Sequence, residues 1–353
     1  MERMGLAGPV FQSPVQVVER HLAMQAQDYG PAKWSIAQRL SDVADAQVEG
    51  KVSGGSILRT HVLRPTWHFV ARRDLRWLMA LSGPCVQRGQ EPRYRQLGLD
   101  PKTRSRAEKL LSDRLEGGNH LTRGDLGKIL RGSRIEPSGQ RLPHLLMHCE
   151  LESVICSGSL KGKEHTYALF DERVSTGHNF DRDQAVVELV RRYLTSHGPA
   201  TLKDMSWWSG LTMTDLKAGI EALGSRLSNE RVKDSTLWWI GEPRPNPRTG
   251  TVVQLLQAYD ELVVGYTESR YLGDPLGAKV RSAFVDRSLP SGTVMNGPRV
   301  AGHWRRSVTD KAVTVEVLLY ESFSESGSVA LEKAVGRLGD FLGRRTDLRV
   351  AVM

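Results

Sequence analysis

Residues 183–227 read DQAVVELVRRYLTSHGPATLKDMSWWSGLTMTDLKAGIEALGSRL. The stretch up to Gly198 is an amphipathic helix, and Gly198-Pro199 closes it. Ala200-Thr201 then opens a short helix, LKDMSWWSG, and Thr212 is placed to cap MTDLKAGIEALGSRL. Val232 and Leu237–Ile240 follow as a pair of strands. Helix, turn, helix and β-hairpin in that order describe a winged helix.

The same order recurs upstream. Ser105–Leu115 (SRAEKLLSDRL) carries apolar residues at helical spacing and stops at Gly117-Gly118. Thr122 caps RGDLGKILRG, Leu142–Leu151 forms a third helix, and Val154–Cys156 and His165–Phe170 are strands. Gly162, between Lys161 and Lys163, makes the turn between them. A looser repeat opens the chain. Pro14–Met24 is a helix with Val17, Val18, His21 and Leu22 on one face, and a second helix covers Ile36–Arg39 and beyond. Ile57–Leu63 and Thr66–Val70 are wing strands around Arg64-Pro65, and Arg73–Leu81 is a helix packed through Leu75, Leu78 and Leu81.

After residues 242–250, EPRPNPRTG, which look like a linker or hairpin tip, strands dominate. They are VVQLLQAYDELVVGY (252–266), SGTVMNGPRVAGHWRR (291–306) with an Asn296-Gly297 turn, and AVTVEVLLY (312–320), closed by a helix over Ala330–Leu342. The expected fold class is therefore α+β. Three tandem winged helices (1–100, 101–178, 179–245) precede a barrel-like, β-rich C-terminal domain (246–353).

The chain has 353 residues, enough to bury sizeable cores without disulfide or metal staples. Its 49 Lys and Arg against 40 Asp and Glu leave a net charge of +9, which points to a polyanion, nucleic acid first and an acidic membrane surface second. Cys85, Cys149 and Cys156 form neither a disulfide framework nor a CxxC. No apolar run approaches membrane-spanning length and no signal peptide is evident, so a cytoplasmic, reducing location is expected. P-loop, nucleophile-elbow and dinucleotide motifs are missing, which leaves NTP hydrolysis, acyl transfer and dinucleotide chemistry without support. His144 and His148 stand four apart, but no glutamate follows the first as in a zincin helix, so metal is rejected.

Gln25-Ala26-Gln27-Asp28 falls where the first helix should end, before Gly30-Pro31. Side chains two apart diverge on a helix, so the two glutamines converge only if the backbone leaves helical geometry. Converged, their uncharged amides can hold and orient one water; otherwise they are solvated residues at a helix end. Trp207-Trp208 and Trp238-Trp239 are candidate stacking platforms, but their setting favours core packing. Trp34, beside Lys33 and near the glutamines, is a better candidate contact, although a helix anchor is an equal reading. The basic residues of the first third of the chain, with Lys161, Lys163, Arg305 and Arg306, would together track a phosphate backbone.

The stretches LAMQAQDYGPAKWSIAQRL (22–40), ILRTHVLRPTWHFVARRDLRWLMAL (57–81), LLQAYDELVVGY (255–266) and RVAGHWRR (299–306) resemble the AlkZ-like DNA glycosylases, a winged-helix family with AlkZ and YcaQ branches. Gln27 is similar to the AlkZ branch; the YcaQ branch has an aspartate there. The resemblance implies three winged helices framing a concave, basic, C-shaped cleft for duplex DNA. It implies catalytic roles for Gln25 and Gln27, with excision of bulky N7-alkylguanine lesions or unhooking of interstrand crosslinks. Many members protect actinomycete producers from their own DNA-alkylating products. A β-hairpin also enters the cleft in the family, and here either the Lys161–Lys163 turn or residues 295–305 would supply it.

The expected activity is thus a monofunctional DNA glycosylase, acting as a monomer on duplex DNA with alkylated purines, without cofactor, metal or membrane. Expected DNA contacts are Trp34, Arg59, Arg64, His68, Lys161, Lys163, Arg299, Arg305 and Arg306. The alternatives are a non-enzymatic winged-helix regulator and a lesion-shielding DNA binder.

Overall fold

The computed structural model describes residues 1–8, 11–174, 177–242, 252–269 and 292–353. One order of elements appears three times in it. The first run is α1 (Pro14–His21), β1 (Ala23–Gln25), α2 (Tyr29–Ala37), α3 (Asp45–Ser53), β2 (Ile57–Val62) and β3 (Arg64–Ala71). A long helix, α4 (Arg72–Gln96), leads to the second: α5 (Pro101–Leu115), β4 (Leu121–Thr122), α6 (Arg123–Gly132), α7 (Arg141–Leu151), β5 (Ile155–Ser157) and β6 (Thr166–Leu169). After a helical turn, α8 (Phe170–Arg173), the third is α9 (Arg182–His197), α10 (Leu202–Ser209), α11 (Met213–Leu223), β7 (Leu227–Val232) and β8 (Ser235–Ile240).

The sheets repeat as well. Their orders are β1-β3-β2 and β4-β6-β5. In the third run the short strand shrinks to Ala200, which bridges Trp238 of β8 beside β7. In the second and third runs a threonine at the end of that short strand or just after it closes a capping box: Thr122 with Asp125, and Thr201 with Asp204. Each box satisfies orphan amides at the helix start and fixes where the chain turns.

The first run departs from this at one place. Gln25 ends its strand, but the N-cap position of α2 is Asp28, which makes no side-chain cap bond, so Ala26 and Gln27 lie in an irregular link that the other two runs lack. The expected helix over Pro14–Met24 therefore ends early: Leu22 adopts φ +67° and residues 23–25 pair with β3. Gly30-Pro31 does not break a helix but sits in the first turn of α2, where a missing proline N–H costs nothing.

The remaining elements are β9 (Val253–Leu256), α12 (Glu261–Val264), β10 (Gly292–Asn296), β11 (Arg299–Val308), β12 (Ala312–Leu319), α13 (Glu325–Leu342) and β13 (Arg345–Val352). They form a five-stranded sheet of order β13-β12-β11-β10-β9. Among the described residues this sheet is open, with β13 and β9 at its edges. The Asn296-Gly297 turn joins β10 and β11 as expected, with Gly297 at φ +56°. Two other readings are corrected. Residues 252–266 are not one strand: β9 ends at Leu256, and Asp260 caps α12 by accepting from the Leu262 N–H. β13 was not expected; it runs parallel to β12 and is mostly exposed, so it lacks a buried face to mark it. The helix beginning at Arg73 also runs on past Pro84 to Gln96. It passes α7 so closely that a Cβ on Gly83 would lie 2.8 Å from the Leu151 carbonyl oxygen. The 242–250 reading falls outside the described residues apart from Glu242.

The first and last parts of the chain share one core. Val17, Met24, Trp34, Ile57 and Phe69 pack with Leu255, Val294, Trp304, Leu338 and Phe341. A buried ion pair locks this junction. Arg39 donates from Nη1 and Nη2 to the two oxygens of Asp260, both at 2.8 Å, and from Nε to the Met4 carbonyl at 2.9 Å. Gln38 Nε2 adds a 3.0 Å bond to the same carboxylate. Among the described residues no helix is long and apolar enough to cross a membrane.

Asp260→Asn leaves the Arg39 charge buried without its counter-ion and is expected to cost about 3–5 kcal/mol of unfolding free energy. Replacing both partners by aliphatic residues should recover most of that loss. Urea denaturation of the three proteins checks this.

Candidate active site

The site is built on the β1–β3 pairing. Gln25 lies opposite His68, and the Ala26 N–H continues the ladder to the Trp67 carbonyl at 2.7 Å. The backbone has thus left the helix before Gln25, as convergence of the two glutamines requires, and beyond Gln25 it runs through the irregular link. Both amide oxygens are held by donors on β3. Arg64 Nη2 donates to Gln25 Oε1 at 3.2 Å, and the Trp67 N–H reaches Gln27 Oε1 at 3.4 Å. Gln25 is 8% exposed, whereas Gln27 is open to solvent. An amide oxygen has two lone pairs, so each keeps a position for a water proton.

Arg59 braces the link between strand and helix. Its Nε donates to the Ala26 carbonyl at 2.9 Å and its Nη2 to the Gln27 carbonyl at 3.2 Å. Its guanidinium lies over the rings of Trp67 (4.4 Å) and Tyr29 (5.7 Å). Burial lowers the pKa of Arg59 and of Arg64, with nearby acids and tyrosines opposing the shift. Arginine keeps its charge regardless, so two fixed cations flank the glutamines.

Behind the strand lies a carboxylate that the sequence reading missed. Glu261 is buried, and its Oε1 accepts the Gln25 backbone N–H at 2.6 Å. Its Oε2 accepts from Trp208 Nε1 at 2.8 Å and faces His197 Nε2 at 3.3 Å. Burial pushes its pKa up, but the bonds from His197 and Gln25 outweigh this and bring it down to about 2. The signal was an acid pair, Asp260-Glu261, inside an otherwise apolar stretch. Buried acids need partners, and both have them.

His68 is wholly buried. Its Nδ1 bonds the Thr66 carbonyl at 2.9 Å, while Nε2 is enclosed with no hydrogen-bond partner among the described residues. Burial and the Arg64 charge lower its pKa to about 3, so the ring is neutral. The expected DNA contact from His68 is therefore corrected: the ring is buried, opposite Gln25 in the strand pairing. Trp34 is corrected likewise: it is buried, donates Nε1 to the Leu255 carbonyl at 2.8 Å, and packs on Phe341.

The tryptophan pair divides. Trp208 is in the core, as expected, but Trp207 is 51% exposed. Trp207 donates Nε1 to the Val264 carbonyl at 3.2 Å, and the Arg64 guanidinium lies 5.5 Å from its ring.

The remaining basic residues sit around this centre. Arg306 is half-buried beside the start of α2, with Nη2 3.9 Å from where a Gly30 Cβ would be. Lys161 and Lys163 are exposed on a turn closed by Lys161 and Glu164. His165, between that turn and β6, lies edge-on to Tyr29 at 4.4 Å, next to the motif. Arg299 is exposed just beyond the Asn296-Gly297 turn, and Arg305 is exposed but paired with Glu316 at 2.5 Å. Among the described residues there is no cluster of three or more His, Cys, Asp or Glu suited to a metal. His148 bonds Glu108 and Gln87, and His144 bonds the Gln140 carbonyl.

His68 takes a proton in the unfolded chain below its ordinary pKa of 6.5, but in the folded protein only near 3. The unfolded state then binds more protons, so stability falls as pH drops through this window. Between pH 7 and pH 5 the wild type is expected to lose about 2 kcal/mol more than His68→Gln, read by urea unfolding at both pH values.

A profile of the AlkZ-like DNA glycosylases matches residues 18–341. An interstrand DNA cross-link repair glycosylase of Streptomyces sahachiroi is 24% identical over 333 residues, covering 89% of this chain and 87% of that protein. The solved structure of the DNA glycosylase AlkZ of Streptomyces sahachiroi superposes with a TM-score of 0.81 at 21% identity, covering 100% of this chain and 97% of that one. The chain belongs to the AlkZ-like DNA glycosylase family.

Proposed function

We propose that the protein is a monofunctional DNA glycosylase that hydrolyses the N-glycosidic bond of N7-alkylated purines in duplex DNA. Gln25 and Gln27 orient the water. The observation that carries this reading is the pair of neutral amides, one at the end of β1 and one in the link after it, each tied to β3 and flanked by Arg59 and Arg64. The repeated order of helices and hairpins supports three winged helices over 1–100, 101–178 and 179–245, followed by the C-terminal unit 246–353, around a concave cleft.

An N7-alkylated guanine is already a cation. When its C1′–N9 bond breaks, the bonding pair returns to the ring and the base leaves neutral, so no strong general acid is needed. The sugar becomes oxocarbenium-like. A water held by acceptor oxygens directs a lone pair at C1′, forms the new C–O bond and gives its proton to solvent. The DNA phosphates help stabilise the developing cation. Unmodified guanine is a poor leaving group at such a site. The nearest lysine in sequence supports hydrolysis over amine chemistry, because Lys33 Nζ is held between Asp45 (2.7 Å) and Glu49 (2.8 Å).

Lys161, Lys163 and Arg299, all exposed, are the proposed phosphate contacts, with Arg305 and Arg306 on the C-terminal sheet. Bulky natural-product adducts, including crosslinked bases, suit an open site better than a flipping pocket. A role in self-resistance or general repair follows from that substrate class.

Gln25→Ala and Gln27→Ala are each expected to slow release of N7-methylguanine from a duplex by roughly 10²–10³, as for loss of one preorganised polar group. Single-turnover assays of released base measure this. Wild-type rates in both variants would contradict the assignment.

A further inference from the structure

Glu261 joins three parts of the molecule at one point. It comes from α12 in the C-terminal part of the chain, and its two donors, Trp208 and His197, come from α10 and α9. Its third bond, the shortest, goes to the backbone of Gln25 in β1. Neighbouring Asp260 fastens the same turn to Arg39. We propose that Glu261 is a positioning residue for Gln25, and that its buried charge sets where the motif amide points and how firmly it is held. This inference rests on the reading of Gln25 as a water-orienting residue.

The physical case has two parts. The bond from the Gln25 N–H to an ionised acceptor is of the strong, charge-assisted kind, and it fixes the backbone at the last paired residue before the irregular link. The same charge attracts Arg64, whose Nη2 holds the Gln25 side-chain oxygen. Glu261 thus grips Gln25 from behind directly and from in front through Arg64. In the other two repeats the acid of the capping box does this job, Asp125 accepting the Thr122 N–H at 3.2 Å and Asp204 the Thr201 N–H at 2.9 Å, but no side-chain cap bond forms at Asp28. A buried negative charge behind the motif also suits a reaction in which positive charge builds on the sugar.

The test is a double-mutant cycle with an amide readout. Glu261→Gln keeps shape and removes charge. It is expected to lower the single-turnover rate on N7-methylguanine duplex about 10–100-fold with duplex affinity unchanged. Added to Gln25→Ala it should cause little further loss, because both act through one amide. If Glu261→Gln does not fold, Trp208→Phe removes one donor while keeping a ring, and should show a smaller loss with the same non-additivity. Independently of activity, the Gln25 amide proton is expected downfield and protected from exchange in the wild type, and less so in Glu261→Gln. An unchanged amide signal, a wild-type rate, or a full multiplicative loss on Gln25→Ala would overturn the proposal. A wild type with the protected amide but no base release would instead contradict the glycosylase reading and leave the Glu261 contact standing.

Discussion

The pairing of three residues, Ala23–Gln25, with the strand Arg64–Ala71 governs the site. A helix continued from Pro14 would put Gln25 and Gln27 on different sides. With the pairing, the backbone is extended through Gln25, Arg64 and Trp67 donate to the two amides, and His68 is buried opposite Gln25. The pairing is long-range in sequence, so it depends on the core that packs Met24 and Phe69 against the C-terminal sheet.

The site is therefore a product of assembly. The first unit supplies the amides and the arginines, α9 and α10 supply His197 and Trp208, and the C-terminal part supplies Asp260 and Glu261. Two adjacent buried carboxylates divide the work: one secures the junction through Arg39, and the other reaches the motif strand. Charge near the glutamines is fixed by burial and pairing. The glutamines themselves stay neutral, which suits a leaving group that is already cationic.

Much of the fold was legible because its signals are local. Thr122, Thr201 and Thr212 mark helix starts through their own side chains, and Asn296-Gly297 marks a hairpin through its backbone preference. The motif strand was not legible: residues 22–25 carry no turn residue, and what ends the helix is a partner about forty residues away. Glu261 was hidden for a related reason. Its run looks like a strand until Asp260 caps a helical turn, and the acid's partners come from three distant segments. Trp34 is a candidate contact by its nearness to the motif in sequence and His68 by the resemblance, yet the shared core encloses Trp34 and the strand pairing puts His68 inside.

The most direct test of the central claim is product analysis on a duplex carrying one N7-methylguanine, with borohydride present in a parallel reaction. The account predicts free N7-methylguanine, an unbroken strand with an abasic site, and no protein trapped on DNA. Bound duplex with no base released, or a borohydride-trapped covalent complex with strand cleavage, would contradict it.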